Sequence, residues 1–289
     1  MSSRGADAGV EIVRTVDALR QRVAGWRREG ERVGLVPTMG ALHAGHMSLV
    51  AASMARFDRT VVTLFVNPRQ FEDPGDLERY PRTEASDADK LANVGADLLY
   101  APGADEMYPP GFATTVSVGG VSEGLCGAAR PGHFDGVCTV VTKLFIQSAA
   151  DGAFFGEKDY QQLQVVRRFT RDLDIPIEVI ACPTVREEDG LALSSRNSQL
   201  DPAARRIAPT LYRVLCDTAT KLATGEEAAP LVAAARRTLL DSGFSEVDYV
   251  EMRTADSLEP LARMDRPARL LAAAWLGDVR LIDNVPVRA

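Results

Sequence analysis

The feature that most constrains this chain is a short apolar run that breaks through a glycine-bearing turn into a helical pattern. It lies at residues 32–50 and reads RVGLVPTMGALHAGHMSLV. Residues 32–36 have the character of a buried strand in a parallel sheet. Pro37, Thr38 and Gly40 then punctuate a turn, and Leu42, Met47, Leu49, Val50 and Met54 fit a helix from about residue 42. A strand that feeds a helix in this way aims backbone N–H groups and the positive end of the helix dipole at a site where an anion can sit, so the turn predicts a phosphate site. His43 and His46 are three apart at the helix start and project from one face, and Gly45 between them lets a ligand approach the backbone. The chain has three histidines, and two are here. The spacing alone fits capping or surface histidines equally well. A metal reading lacks a nearby cysteine or carboxylate at ligand spacing.

The rest of the chain bounds what this turn can serve. At 289 residues and 46% hydrophobic content, it suits two modest domains with a sizeable core. A net charge of −7 argues against a general nucleic-acid binder, which needs clustered lysine and arginine. No segment approaches the roughly 20 apolar residues that span a bilayer, and residues 1–10 lack an apolar signal core, so a soluble, cytoplasmic protein is expected. Cys126, Cys138, Cys182 and Cys216 are scattered without C-x-x-C spacing, which disfavours a zinc site or a disulfide framework.

Residues 11–28 carry Ile12, Val16, Leu19, Val23 and Trp26 on one stripe and predict an amphipathic helix. Further strands are expected at 60–66, 97–100, 114–118, 152–155 and 177–181, with a charged helical region at 77–94 and a core helix at 137–148. The glycine-rich stretch 123–136 is expected to form a mobile flap. Polar residues just beyond strand ends should line a cleft in an open parallel sheet, which singles out Asn67 and Gln70 after the strand at 60–66. Asn67 before Pro68 could equally be a turn former. Lys158 opens a second strand-to-helix junction, where a lysine is unfavourable with the dipole unless an anion is present, and Gln162 four residues on shares its face. Ser194, Ser195 and Arg196 supply two hydroxyls and a guanidinium, a donor set suited to a triphosphate. From residue 201 the alternation stops. Two helices at 201–224 and 226–242 precede strands near 247–253, 268–275 and 279–283, which places a domain boundary near 185–189.

PTMGALHAGH at 37–46 resembles the signature of the pantothenate synthetase family, within the His-x-Gly-His nucleotidyltransferases. FVNPRQF at 65–71, Tyr80 and Arg82, RPGHFDGV at 130–137, FFGEKDYQQ at 154–162 and SSRN at 194–197 resemble further motifs of that family, with Leu193 standing where methionine is usual. The resemblance covers nearly the whole chain after Val10. It implies a doubly wound parallel α/β sheet of the Rossmann-like, nucleotidyltransferase type over 1–185 and a smaller C-terminal α+β lid domain over 186–289. It also implies ATP-dependent joining of pantoate and β-alanine through pantoyl adenylate, releasing AMP and pyrophosphate.

By the same resemblance, ATP is bound by Met39, Gly40, Ala41, Leu42, His43, Ala44, Gly45 and His46, by Gly156, Glu157, Lys158 and Asp159, and by Val185, Leu193, Ser194, Ser195 and Arg196. His43, His46, Lys158 and Arg196 carry catalysis. Gln70 and Gln162 hold pantoate, Gln70 also β-alanine, and Asn67, Tyr80, Arg130 and His133 complete the substrate set. Magnesium is expected on the phosphates with no protein ligand named, and a homodimer is implied. Two rivals are an adenylyltransferase that forms no amide and a catalytically dead nucleotide sensor.

Overall fold

The computed structural model describes residues 9–72 and 74–288. Residues 1–8, which begin the first expected domain and most of the stretch read for a signal core, lie outside the described residues. Six strands form one sheet: β1 (Glu11–Val13), β2 (Val33–Thr38), β3 (Arg59–Leu64), β4 (Leu98–Tyr100), β5 (Gly152–Gly156) and β6 (Glu178–Cys182). Their spatial order is β1-β4-β3-β2-β5-β6, with β2 parallel to both β3 and β5. The chain works outward from β2 through β3 and β4, then resumes on the other side at β5, so the order reverses between β2 and β5. In a doubly wound sheet the carboxyl ends at that reversal are where ligands bind.

Side chains alternate across these strands, and both sets are buried. Val36, Val62, Leu99 and Phe154 join a core with Leu49 and Val50 of the helix Ala44–Arg56 and Leu91 of the helix Glu84–Val94. Leu35, Val61, Leu98 and Ala153, one residue off, are also completely buried. A second, three-stranded antiparallel sheet contains β7 (Glu246–Thr254), β8 (Ala268–Leu276) and β9 (Val279–Val287), in that order. It shares a core with the helices Thr210–Leu222 and Ala228–Asp241 through Leu215, Leu222, Leu239, Leu270 and Ala272.

The chain divides into two compact units, and the division is not a single cut. One contains the described part of Met1–Ser117 with Gly132–Phe155 and Phe169–Cys182; the other contains Val118–Pro131, Gly156–Arg168 and Pro183–Ala289.

Several sequence expectations are corrected. Residues 11–13 form edge strand β1, and the helix begins at Val16 because Thr15 caps it, its hydroxyl accepting from Ala18 N–H at 3.2 Å. No strand forms at 114–118. Val116 N–H donates to Thr139 Oγ1 at 3.0 Å and Ser117 Oγ to Asp135 at 2.7 Å, so this segment is held by side chains of the helix His133–Ser148. That helix starts four residues earlier than expected, behind Gly132 at φ 77°. The helical region at 77–94 is split around Pro81 into Pro74–Arg79 and Glu84–Val94. The expected helix at 201–224 is likewise two, Pro202–Ile207 and Thr210–Leu222, separated at Pro209.

Gly34, the second residue of β2, is a tight point. A Cβ there would overlap Ser53 Oγ and lie 3.0 Å from the Phe57 ring and 3.3 Å from Phe154. Gly34→Ala is therefore expected to destabilise by about 1–3 kcal/mol through overpacking, although alanine in an unobstructed strand would stabilise. Urea unfolding followed by circular dichroism measures this. An unchanged or raised midpoint would contradict the packing described.

Candidate active site

The turn after β2 is built around a carboxylate from another helix. Asp87, on the helix Glu84–Val94, is completely buried. Its Oδ2 accepts from Ala41 N–H at 2.8 Å and its Oδ1 from Leu42 N–H at 2.9 Å. Thr83 Oγ1 donates to Oδ2 at 2.8 Å, and Lys90 Nζ reaches Oδ1 at 3.3 Å and Leu42 O at 2.8 Å. Gly40 N–H donates to Thr38 Oγ1 at 3.2 Å. Gly40 and Ala41 both have positive φ, 87° and 50°, which turns successive N–H groups toward one point and makes a nest for an anion. The sequence predicted a phosphate at these N–H groups. In the structure the protein's own carboxylate accepts from those of Ala41 and Leu42.

The histidines follow directly. His43 is the N-cap of the helix Ala44–Arg56, so the helix starts two residues later than expected. Its Nδ1 accepts from Gly45 N–H at 3.1 Å, and His46 Nδ1 accepts from His43 N–H at 3.4 Å, a reciprocal capping box made of two imidazoles. The ring centroids are 4.1 Å apart. An Nδ1 that accepts a hydrogen bond leaves the proton of a neutral ring on Nε2. Both histidines are thereby set as Nε2–H donors, and both are half-buried.

In the same unit, Asn67 and Gln70 are buried after β3, around the short 3-10 turn Pro68–Gln70. Tyr108 Oη donates to Asn67 Oδ1 at 2.8 Å, and Asn67 Nδ2 donates to Gln70 Oε1 at 3.0 Å and to Gly136 O at 3.1 Å. This orders the glutamine amide, with Gln70 Nε2 at 3.1 Å from Met39 Sδ. Burial pushes the Tyr108 phenol up to about 12, which keeps it a proton donor. His133 Nδ1 lies 3.0 Å from Gln70 O; a carbonyl can only accept, so this ring carries its proton on Nδ1, opposite to His43 and His46. Gly136 lets the helix His133–Ser148 approach this turn, since a Cβ there would overlap the Arg69 carbonyl and lie 2.8 Å from Gln70 N. Tyr80 is buried edge-on against Phe71 at 5.6 Å, and Arg82 donates to Leu77 O and Glu78 O. Tyr108 carried no motif signal in the sequence.

The second unit gathers the remaining residues in two groups. Glu157, Lys158 and Asp159 form a 3-10 turn after Gly156, ahead of the helix Tyr160–Asp172. Lys158 Nζ lies 3.6 Å from Asp159 Oδ2. Asn284 Nδ2 donates to Glu157 O and Lys158 O, both at 2.9 Å. Val185 and Leu193 are brought together by a bond from Leu193 N–H to Val185 O at 3.0 Å, across the bridge Arg186–Ala192. Ser194 caps the following turn Ser195–Gln199, its Oγ accepting from Arg196 N–H at 3.3 Å. Asn197 Nδ2 ties that turn back to Glu187 Oε1 and Ala192 O at 3.1 Å each.

The stretch expected as one flap carrying Arg130 and His133 divides. His133 belongs to a helix of the first unit, whereas Arg130 ends the short helix Leu125–Ala129 in the second. Sequence reading chose Gln162 and passed over its neighbour. Gln161 is buried, accepts from Cys126 N–H at 2.9 Å, and donates to Val121 O at 3.1 Å and Gly124 O at 3.2 Å, holding the segment 118–131 in place.

A parallel sheet of this order, with a His-x-Gly-His helix start behind its central strand, defines an enzyme of the α/β nucleotidyltransferase class. A family model described as pantoate-beta-alanine ligase matches residues 11–286. The chain belongs to that family. Pantothenate synthetase of Chelativorans sp. (strain BNC1) is 65% identical over 278 residues, 96% of this chain and 98% of that protein. Pantothenate synthetase of Thermus thermophilus has a crystal structure that matches with a TM-score of 0.88 at 45% identity, covering 97% of this chain and 100% of that one. The pantoate-beta-alanine ligase of Francisella tularensis, crystallised with beta-gamma ATP and beta-alanine, matches at 0.82 and 30% identity over 96% of this chain and 97% of that one. The chain is therefore a ligase that condenses pantoate with β-alanine to pantothenate.

Asp87→Asn replaces one acceptor with an amide that faces donors and so loosens the turn under His43. Pantothenate formation is expected to fall roughly 10²-fold with the circular dichroism spectrum retained, because displacements near 1 Å at a reacting centre cost about that much. A wild-type rate would show that the clamp does not set the histidine geometry.

Proposed function

We propose that the ligase works through pantoyl adenylate, with the chain's donors divided by the charge each must meet. The carboxylate oxygen of pantoate attacks the α-phosphorus of ATP, the bond to the bridging oxygen breaks, and pyrophosphate leaves. The amine of β-alanine then attacks the acyl carbon, the acyl–phosphate C–O bond breaks, AMP leaves and the nitrogen loses a proton. The observation that carries this reading is the imidazole capping box, which presets His43 and His46 as neutral Nε2–H donors. Such donors stabilise charge as it develops on the phosphate oxygens, without reorganising at the moment of reaction. His46 gives the proton-bearing contact to the leaving group.

Lys158 and Arg196 neutralise the β- and γ-phosphates, with hydroxyl donation from Ser194 and Ser195. Met39, Gly40, Ala41, Leu42, Ala44 and Gly45, together with Gly156, Glu157, Asp159, Val185 and Leu193, contribute the remaining contacts to ATP. The ordering of Gln70 by Asn67 and Tyr108 supports Gln70 as a fixed amide for the polar groups of pantoate and for β-alanine. Gln162, Tyr80, Arg130 and His133 complete the substrate set. Magnesium is carried on the triphosphate, where it keeps waters and takes few protein ligands. No helix of the described residues is long and apolar enough to cross a membrane. We place the enzyme in the cytoplasm, acting as a homodimer on small molecules rather than nucleic acid.

Pyrophosphate exchange tests the intermediate. With ATP, magnesium and pantoate but no β-alanine, labelled pyrophosphate should enter ATP, and adding β-alanine should divert the flux to pantothenate and AMP. His46→Ala should lower the exchange rate roughly 10²- to 10³-fold. Exchange that appears only when β-alanine is present would exclude the free adenylate, and exchange independent of pantoate would indicate an adenylyltransferase for another substrate.

A further inference from the structure

The three-stranded C-terminal sheet contains a buried carboxamide bonded to a segment outside the sheet. Asn284 on β9 and Arg269 on β8 are 2% and 8% exposed. Every polar atom of the Asn284 side chain is engaged. Oδ1 accepts from Arg269 Nε at 2.6 Å, and Nδ2 donates to the carbonyls of Glu157 and Lys158 at 2.9 Å each. The arginine fixes which way the amide faces, because only its oxygen can accept from Nε. Arg269 is itself held from two sides, by Glu157 Oε2 at 2.9 Å and by the Tyr160 ring, whose centroid is 4.0 Å from its guanidinium carbon. Tyr160 Oη donates to Ala255 O at 2.7 Å. The neighbouring Asp283 holds Arg186 in a two-pronged pair at 2.6 and 2.9 Å, and Arg186 flanks Val185 at the base of the loop that leads to Ser194 and Arg196. Two adjacent residues of β9 thus anchor both segments to which phosphate contacts are assigned.

A buried carboxamide and a buried guanidinium are costly to desolvate unless each is fully hydrogen-bonded. What apolar side chains cannot do is grip two consecutive carbonyls of a 3-10 turn. We infer that Asn284, oriented by Arg269, is a positioning residue for Lys158: it fixes the backbone from which the ammonium reaches phosphate. This inference rests on the phosphate-contacting role proposed for Lys158.

A double-mutant cycle on the full-length protein separates the two claims. Pantoate-dependent pyrophosphate exchange is measured for the wild type, Asn284→Ala, Lys158→Ala and the double variant, with thermal unfolding of each as the fold control. Asn284→Ala should slow exchange roughly 10-fold when Lys158 is present and less than about 2-fold when it is absent, the non-additivity expected of groups acting through one another. The KM for ATP should rise while that for β-alanine stays unchanged. Equal fold-losses in both backgrounds would overturn the inference and leave the role of Lys158 intact. Full exchange by Lys158→Ala would overturn the phosphate role and the inference with it. If Asn284→Ala does not fold, Arg269→Lys, which keeps the charge for Glu157 but lacks the Nε donor, replaces it in the same cycle with the same two criteria.

Discussion

The carboxylate of Asp87 is the contact on which the turn after β2 depends. A fully buried charge is tolerated only with full compensation, and Asp87 receives two backbone N–H groups, a hydroxyl and an ammonium. Those bonds hold Gly40 and Ala41 in left-handed conformations and so fix the point at which the chain enters the helix Ala44–Arg56. The capping box of His43 and His46 spends both Nδ1 atoms on backbone N–H groups. One constraint therefore sets the turn, the cap and the tautomers together.

The second unit solves a similar problem with neutral amides. Gln161 satisfies one N–H and several carbonyls of the segment 118–131, and Asn284 does the same for the turn carrying Lys158. Loops rich in glycine and charge have backbone groups that no ladder pairs. Burying a carboxamide with all its donors and acceptors used gives such loops one conformation. A lysine on a pinned turn loses less freedom on meeting an anion than one on a free loop.

The strand–turn–helix at residues 32–56 was legible because its apolar run, its glycine and its histidines are local in sequence. So were most strands of the main sheet, whose unbroken apolar runs reflect burial on both faces. What could not be read is what depends on distant partners. Asp87 looked like one more acid on a charged helix, Tyr108 an ordinary aromatic, and Gln161 a neighbour of the glutamine that fits the motif. Each gains its role from a residue 35 to 46 positions away, as the bonds from Asp87 to Ala41, Tyr108 to Asn67 and Gln161 to Cys126 show. Residues 114–118 failed as a strand for the same reason: β-branched composition is local, but their hydrogen bonds go to Thr139 and Asp135. Residues 11–13 were misread because an edge strand of three residues is too short to show its own period.

The central claim is that backbone capping fixes the imidazoles of His43 and His46 before any substrate arrives. With only three histidines in the chain, their ring nitrogens can be followed individually by 15N-labelled NMR on the substrate-free protein above the usual histidine titration range. His43 and His46 should both show an unprotonated Nδ1 and a protonated Nε2, while His133, bonded to the Gln70 carbonyl, should show the reverse. Rings of His43 and His46 that exchange between tautomers, or that carry the proton on Nδ1, would contradict it.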